Sequence, residues 1–550
     1  MRKSYPNRAT SIHSQCRSGR LQQRFVASLA TLLVLVIGAH WTAPALALPA
    51  GDPTDDQVSE CIGNINATLT ASAAQVNLGQ TTTLAWRATL PVGCAMVRIY
   101  LDGLVVPAAG SRTLQPIATQ GHLLRAVFRS AGRTLATRRI KVILPNPLTI
   151  SSSAVIPQLL QALTTADQVI IVQNNVDMNL TDWNGPLSMI PIANGVVLRG
   201  GRTARNPGPR LYTTSRTGAL LLVSGVRVRI TGMRIQGADL GVVDGDEDGA
   251  RGILIYTPAD VEIDHNELSG WSWAAINVRN GNQPTGFLNS HAVHVHDNFI
   301  HHNQHSGRDG YGVAMADGAY AWIERNVFDW NRHAITAEDG SDGSGYEAFD
   351  NLVLSHGGYH RDIPIYGWTR THQFDIHGQD TCGVLEGDHN CGTAGHSAFI
   401  RRNTFLYTAD ASIKLRGKPQ LQPWGVFVDA NVFAGSADDA IELSSNASGM
   451  ERGSDNLFGV NESNNLGHCD FDGDGIADAF MATSATWWFS SGGTGPWTFL
   501  RASTKRLSEV ELGDLDGDHR CDVKVGNTVY SGGTMVLTHP PIIGGGVLVH

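Results

Sequence analysis

After residue 38 the chain has no apolar run long enough to cross a bilayer, no surplus of positive charge, and no two cysteines spaced as CxxC. Each absence removes a class of function. A spanning helix needs about 20 consecutive apolar residues, and the one apolar run, Phe25 to Gly38, is shorter. It follows a basic lead and precedes Ala45-Leu46-Ala47, which reads as a secretory signal peptide ending at residue 47. That segment takes with it six of the 41 Lys and Arg and none of the 50 Asp and Glu. The formal charge of -9 then becomes 35 basic against 50 acidic residues, or -15. A chain so acidic repels a polyanion, which argues against nucleic acid as the partner. Without CxxC, thiolate metal binding is the lesser reading of the seven cysteines. Cys16 leaves with the signal, and the rest fall two per region: Cys61 and Cys94, Cys382 and Cys391, Cys469 and Cys521. An even count in an exported chain predicts three disulfides and a secreted, extracellular or cell-surface protein.

What the chain does have is repetition. An eleven-residue phrase recurs as VEIDHNELSGW, VHVHDNFIHHN, AWIERNVFDWN, YEAFDNLVLSH, AFIRRNTFLYT and VFVDANVFAGS. Its asparagines, Asn266, Asn298, Asn326, Asn351, Asn403 and Asn431, stand 32, 28, 25, 52 and 28 residues apart. The long gap is close to two periods, so it reads as one further coil plus an insertion. Apolar residues alternate before each asparagine and resume two residues after it, at Leu268, Ile300, Phe328, Val353, Phe405 and Phe433. Each copy therefore encodes a strand, a sharp corner and a second strand. Asparagine suits the corner because it tolerates left-handed backbone and its amide bonds nearby main chain. Stacked turn on turn, such amides would form a ladder.

The arrangement resembles the right-handed parallel β-helix of the pectate-lyase type, whose coils carry three short strands and often an asparagine ladder at one bend. The resemblance spans Leu148 to Asn465. It implies a mostly β fold, and a family that includes lyases, hydrolases, epimerases and non-catalytic adhesins. The predicted order is a signal peptide over 1–47, a leader over 48–60, an immunoglobulin-like β-sandwich over 61–145, the β-helix over 146–465 and a small module over 466–550. Trp86, in an alternating strand of the sandwich, is expected in its core. Ser153 is expected to cap a short helix through Ile156, Leu159, Leu160 and Leu163 that covers the open end of the coils.

A further strand follows each phrase: AAINVR, YGVAMA, HAITAE, QFDIHG, SIKLRG and AIELSS. With the apolar members inward, alternation turns the others outward. Parallel neighbours lie about 4.8 Å apart, so these outward residues stack into columns. One column reads Glu338, His377, Arg416; the other reads Thr336, Asp375, Lys414, Glu442. Acids and bases converging on one wall suit cleavage of a polysaccharide. Elimination on a uronic acid needs a base, Lys414 or His377, and a cation, Arg416, to neutralise the carboxylate. Hydrolysis needs two carboxylates instead, for which Asp375, Glu442 and Glu338 are the candidates. Cross-strand salt bridges on a solvated face are the competing reading. The polygalacturonase Asp and His motifs and the calcium-aspartate and arginine pattern of pectate lyases are missing, so no residue role transfers from them. The histidine-rich insertion adds candidate transition-metal ligands in His360, His372, Asp375 and His377, whereas His294, His296, His301 and His302 read as a polar face.

Near the end, DFDGDGIAD and DLDGDHRCD repeat with an offset of 44 residues. D-x-D-G-D-x-x-x-D places carboxylates as oxygen ligands wrap calcium. The pattern resembles the FG-GAP or integrin-α-type repeat, which implies ligands Asp470, Asp472, Asp474 and Asp478, then Asp514, Asp516, Asp518 and Asp522. His519 stands where the first loop has Gly475, a substitution expected to strain the second turn. Trp487, Trp488 and Trp497 are expected in the core. The reading as a whole is a secreted protein that binds and cleaves an extracellular polysaccharide, lyase ahead of glycoside hydrolase, with calcium as cofactor. The alternative is a non-catalytic carbohydrate-binding or adhesion protein.

Overall fold

The structure, a computed structural model, describes residues 61–536 apart from short stretches and the segments 184–188, 241–248, 280–292, 338–343, 358–370, 377–392, 420–424 and 444–449. The signal, leader and Cys382–Cys391 assignments lie outside the described residues.

Alternating residues in the first domain build a three-stranded and a five-stranded sheet. They close on Leu84, Trp86, Ile99, Leu101, Leu124, Ala126 and Ile140, with Cys61 bonded to Cys94. Trp86 is buried as expected and donates its indole N–H to the Pro107 carbonyl (2.9 Å).

From Leu148 the chain winds into a right-handed parallel β-helix with three walls. Wall one has eleven strands, from Leu148–Ile150 to Met450–Arg452; wall two has ten, from Asp177–Asn179 to Leu457–Phe458; wall three has nine, from Ile190–Ile192 to Ile441–Leu443. The inward residues form one continuous apolar core. The helix Ile156–Leu163 buries Leu159, Ala162 and Leu163 against its first coils. Ser152, not Ser153, supplies the cap, accepting from Ala154 N at the start of the 3-10 turn that leads into the helix.

Two details of the repeat depart from expectation. The 52-residue gap is a single coil with long insertions, because Gly345–Phe349 pairs directly with Ala398–Arg401 and Asn351 bonds directly to Asn403. The left-handed residue at the corner is not the asparagine but the one before it: His265, Asp297, Arg325, Asp350, Arg402 and Ala430 all have φ between 54° and 56°. The asparagine supplies the amide. Its Oδ1 accepts the backbone N–H of the preceding coil's asparagine, from Asn266 to Asn298 (2.9 Å) through Asn403 to Asn431 (3.0 Å). Asn456 adds a seventh rung (3.1 Å), and Met233 N caps the other end on Asn266 (3.0 Å). A second, shorter ladder joins Trp271 N, Asn303 and Asn331 at the corner between walls two and three. Its signal is in the sequence: two phrases also end in asparagine, five residues after the first.

The last module is a pair of four-stranded antiparallel sheets linked by Cys469–Cys521. Trp487 and Trp488 are fully buried and Trp497 partly so. Met481 and Trp488 pack with Val327, Leu352 and Leu406, which fixes this module on wall two. The sandwich meets wall one, where Arg401 and Arg402 press their charge on Arg125.

Removing a ladder rung in mid-stack orphans several buried groups together. The Asn351 amide donates to Ile323 O and Asn403 Oδ1 (both 2.9 Å) and accepts from Asn326 N and Nδ2 (3.0 and 3.1 Å). Asn351→Ala is expected to destabilise the protein by at least about 2 kcal/mol, since each buried orphan costs roughly 1–3 kcal/mol. Urea denaturation reads this, and a change under about 0.5 kcal/mol, the usual surface scatter, would show that the ladder does not set stability.

Candidate functional site on wall three

The register of wall three brings the expected second column together. Thr336 pairs with Asp375, Asp375 with Lys414, and Lys414 with Glu442, while Ile335, Phe374, Ile413 and Ile441 line up inward. Of the first column only Arg416 lies among the described residues; Glu338 and His377 lie outside them, as does His360.

Direction was legible, but exposure was not. Asp375 is 1% exposed and Thr336 equally covered. Arg416 does not stand apart in its own column. It folds back across one strand and grips Asp375 with Nε (3.1 Å to Oδ1) and Nη2. A buried carboxylate requires such a partner, since an unpaired charge is strongly destabilising there. Lys414 and Glu442 form an ion pair (2.8 Å) nearer the rim, with side chains 23% and 45% exposed.

His333 was not among the expected residues. It opens the strand His333–Ala337 and lies directly beneath His372, ring centroids 4.2 Å apart. Its Nε2 is 3.8 Å from Asp375 Oδ2, and His372 Nε2 is 2.9 Å from Oδ1. Burial holds both imidazoles below the ordinary histidine range, and for His333 the charge of His372 adds to the effect. Burial, with the Asp375 charge, likewise holds the Tyr346 phenol well above its usual value. Below His333 the ladder continues: Tyr311 stacks on it (5.6 Å, 8°), Trp273 meets Tyr311 edge-on (5.6 Å), and the Arg251 guanidinium lies over Trp273 at 4.0 Å. Trp273, Tyr311 and Arg251 are each half-buried. Wall three thus carries an aromatic stripe that leads to the Asp375–Arg416 pair.

The histidines of wall one are not a solvated polar face. His294 stacks on Trp322 (4.2 Å) and approaches Glu324 (3.1 Å), and His296 sits between Asp297 (2.7 Å) and Glu262 (3.1 Å). Burial and the neighbouring His296 charge push His294 down to about 4. Burial opposes the charge on His296 too, but its bonds to Asp297 and Glu262 outweigh it and raise the group to about 10.

In the last module the carboxylates of Asp470, Asp472 and Asp478, and those of Asp514, Asp516 and Asp522, approach within 4.8 Å in each loop. Asp474 and Asp518 instead turn back to accept from Ile476 N (2.7 Å) and Arg520 N (2.8 Å). Burial, opposed by backbone N–H bonds and aided by neighbouring carboxylates, raises Asp478 and Asp522 above the usual range. His519 has φ of 67°, matching Gly475 at 83°, so the strained turn is present. The first loop also receives Arg205 from the β-helix, bonded to Asp472 and 3.9 Å from Asp474.

No protein-family model and no curated protein matches the chain. Among solved structures it is similar to an alginate lyase from Paenibacillus sp. str. FPU-7 (14% identity, TM-score 0.34, 57% of this chain and 97% of that one). It is also similar to jun a 1, the major allergen from cedar pollen (14%, 0.33, 55% and 80%). A third is the Family 28 exopolygalacturonase of Yersinia enterocolitica (9%, 0.26, 72% and 99%). At such TM-scores the reading of this chain rests on its own geometry.

The opposed histidines of wall one set a pH dependence. His294 titrates lower folded than unfolded, so its contribution is complete above about pH 6.5 and is lost as pH falls towards about 4. His296 titrates higher folded, so its contribution is complete below about pH 6.5 and is lost as pH rises through about 10. Urea midpoints at roughly pH 5, 6.5 and 9 should therefore peak at the middle value. His296→Gln should flatten the alkaline decline; an unchanged alkaline slope would refute the assignment.

Proposed function

We propose that the protein is secreted, binds an extracellular acidic polysaccharide along wall three, and cleaves it by β-elimination. The observation that carries the reading is the wall-three register, which stacks Asp375, Lys414 and Glu442 on consecutive coils above the Trp273–Tyr311 stripe. Stripe aromatics suit sugar faces, and the cations at the rim suit uronate carboxylates. Elimination is favoured over hydrolysis for a physical reason. Hydrolysis needs one carboxyl group to give up a proton and a second to work opposite it, whereas Asp375 is buried and held as the ionised partner of Arg416. In elimination Lys414, released from Glu442 as the neutral amine, takes the proton beside the uronate carboxylate. The bond from the β-carbon to the glycosidic oxygen breaks as the double bond forms, and the departing oxygen takes a proton from the resulting Lys414 ammonium, while Arg416 and its neighbours offset the charge that develops. Asp375 then acts as a positioning residue that aims Arg416.

The two acidic loops of the last module are proposed calcium sites, which would stiffen it without touching the reacting atoms. Binding in the first loop competes with Arg205, so Arg205→Ala is expected to tighten calcium binding there. Calorimetry reads the affinity, and no change on substitution would remove Arg205 as a competitor.

Activity is tested by incubating the mature protein with polyuronates of plant, algal and bacterial origin, following unsaturated ends by ultraviolet absorbance and reducing ends separately. Lys414→Ala is expected to lower kcat/KM by at least about 100-fold, the lower range for losing a general base, with the circular dichroism spectrum unchanged. An equal rate in that variant would eliminate the site. Binding without product from any polymer would favour the non-catalytic alternative, for which the closed Lys414–Glu442 pair speaks.

A further inference from the structure

Among the described residues, the buried histidines of wall one and wall three are partnered differently. On wall one His294 has Glu324, and His296 has both Asp297 and Glu262. On wall three, among the described residues, His333 Nε2 has no partner in hydrogen-bond geometry and His372 Nε2 has only the Asp375 carboxylate, 2.9 Å away, although both atoms are removed from solvent. His333 is 0% exposed, His372 8% and Asp375 1%. Buried ring nitrogens seldom lack partners, so His333 Nε2 requires an explanation.

The orientation of the ring supplies it. His333 Nδ1 lies 2.6 Å from the backbone carbonyl of His372, an acceptor only, so this nitrogen carries the proton. Nε2 of the neutral ring is then a bare lone pair, and it faces Asp375 Oδ2 at 3.8 Å. His372 Nε2 faces the other carboxylate oxygen at 2.9 Å. Two imidazole nitrogens and one carboxylate oxygen, all within 4.8 Å of one another, converge on one buried point. The lone pair of His333 Nε2, aimed at a carboxylate oxygen in a buried site, is repelled by it unless a cation stands between them.

We propose that His333, His372 and Asp375 hold a divalent first-row transition cation of the zinc class. Two imidazoles and one carboxylate form the three-ligand set of catalytic zinc and facial-triad sites. Calcium and magnesium prefer oxygen throughout. Ligand bonds of about 2.0–2.2 Å need donor atoms about 3 Å apart: His372 and Asp375 already meet this, and His333 closes by under about 1 Å. The surroundings match the outer layer of such sites, where a ligating histidine gives its other N–H to a carbonyl and the carboxylate is held by a hydrogen-bond donor. The His372 carbonyl and the Arg416 guanidinium do this. Asp375 and Arg416 cancel in charge, so the bound cation leaves the site net positive and draws an anionic oxygen to its open position. A uronate carboxylate is of that class.

The site rests on donor geometry and not on the cleavage reading: an inactive protein that takes up the metal supports it, and an active protein that takes up none overturns it. The mature chain is stripped with chelator and titrated with Zn2+ by calorimetry in excess calcium, which fills the oxygen-only loops. One equivalent is expected, bound at least about 10-fold more weakly by His372→Gln, a factor seen even for losing an outer partner of a ligand, and unchanged by His294→Gln. Equal affinity in folded His372→Gln overturns the proposal. Where that variant fails to fold, X-ray absorption of the wild-type zinc complex decides. Two imidazoles and a carboxylate support the site, and any other ligand set, or less than one equivalent taken up, overturns it.

Discussion

At the corners between walls one and two from Met233 to Asn431 the chain turns sharply, and the main-chain N–H just inside the turn is bonded to a side chain of the next coil. The next coil's asparagine amide reaches it, and the same amide returns an N–H to the wall-one strand behind, as Asn403 does with Ala348 O (2.9 Å). A buried backbone group must be paired, so the ladder fixes how far each coil rises and how it is turned against its neighbour. The residue before each asparagine accepts a left-handed backbone, an expense met by Arg325, Asp350 and Arg402 even though none is glycine. Once the corners are locked, every wall is in register, and residues far apart in sequence become vertical neighbours.

That constraint explains what could be read in advance. Alternation shows which way a side chain leaves the strand, and the repeated asparagine shows which strands align, so the Thr336, Asp375, Lys414, Glu442 column was legible. Alternation does not report what a long neighbouring side chain does afterwards. Arg416 leaves its strand outward but crosses back to Asp375 on the coil before, which converts an expected surface carboxylate into a buried one. His333 was passed over because it shares the parity of Ile335 and Ala337, so alternation places it with the inward residues and not among the outward columns. The period misled in the 52-residue gap, because spacing along the chain cannot tell an extra coil from a coil with two long insertions. Asn456 was missed because only the second half of the phrase, Asn456-Leu457-Phe458, survives there.

Burying charge is costly unless each charge finds a partner, and the walls meet that cost differently. On wall one, acid, base and histidine interleave: Arg229 bonds Asp264 (2.7 Å), Glu262 meets His296, and Arg325 joins Asp297 (2.9 Å) and Glu324. That network is self-sufficient. On wall three the pairs Asp375–Arg416 and Lys414–Glu442 are closed, while His333 Nε2 has no hydrogen-bond partner among the described residues. A ligand contributes most where the fold leaves a buried group without a partner, as at His333 Nε2.

The outward composition of each wall also decides where the flanking modules sit. Wall two turns Phe299, Val327 and Leu352 outward, an apolar column that water would meet at a cost of about 25 cal/mol for each Å²; Met481, Trp488, Trp497 and Phe499 of the last module cover it. A polar contact sets the position, with Thr404 Oγ1 donating to Thr483 Oγ1 (2.7 Å). Wall three turns Asn277, Thr336, Asp375, Lys414 and Glu442 outward, none of which needs an apolar cover. Asn277, Thr336 and Asp375 are already covered, so only Lys414 and Glu442 of this column meet solvent.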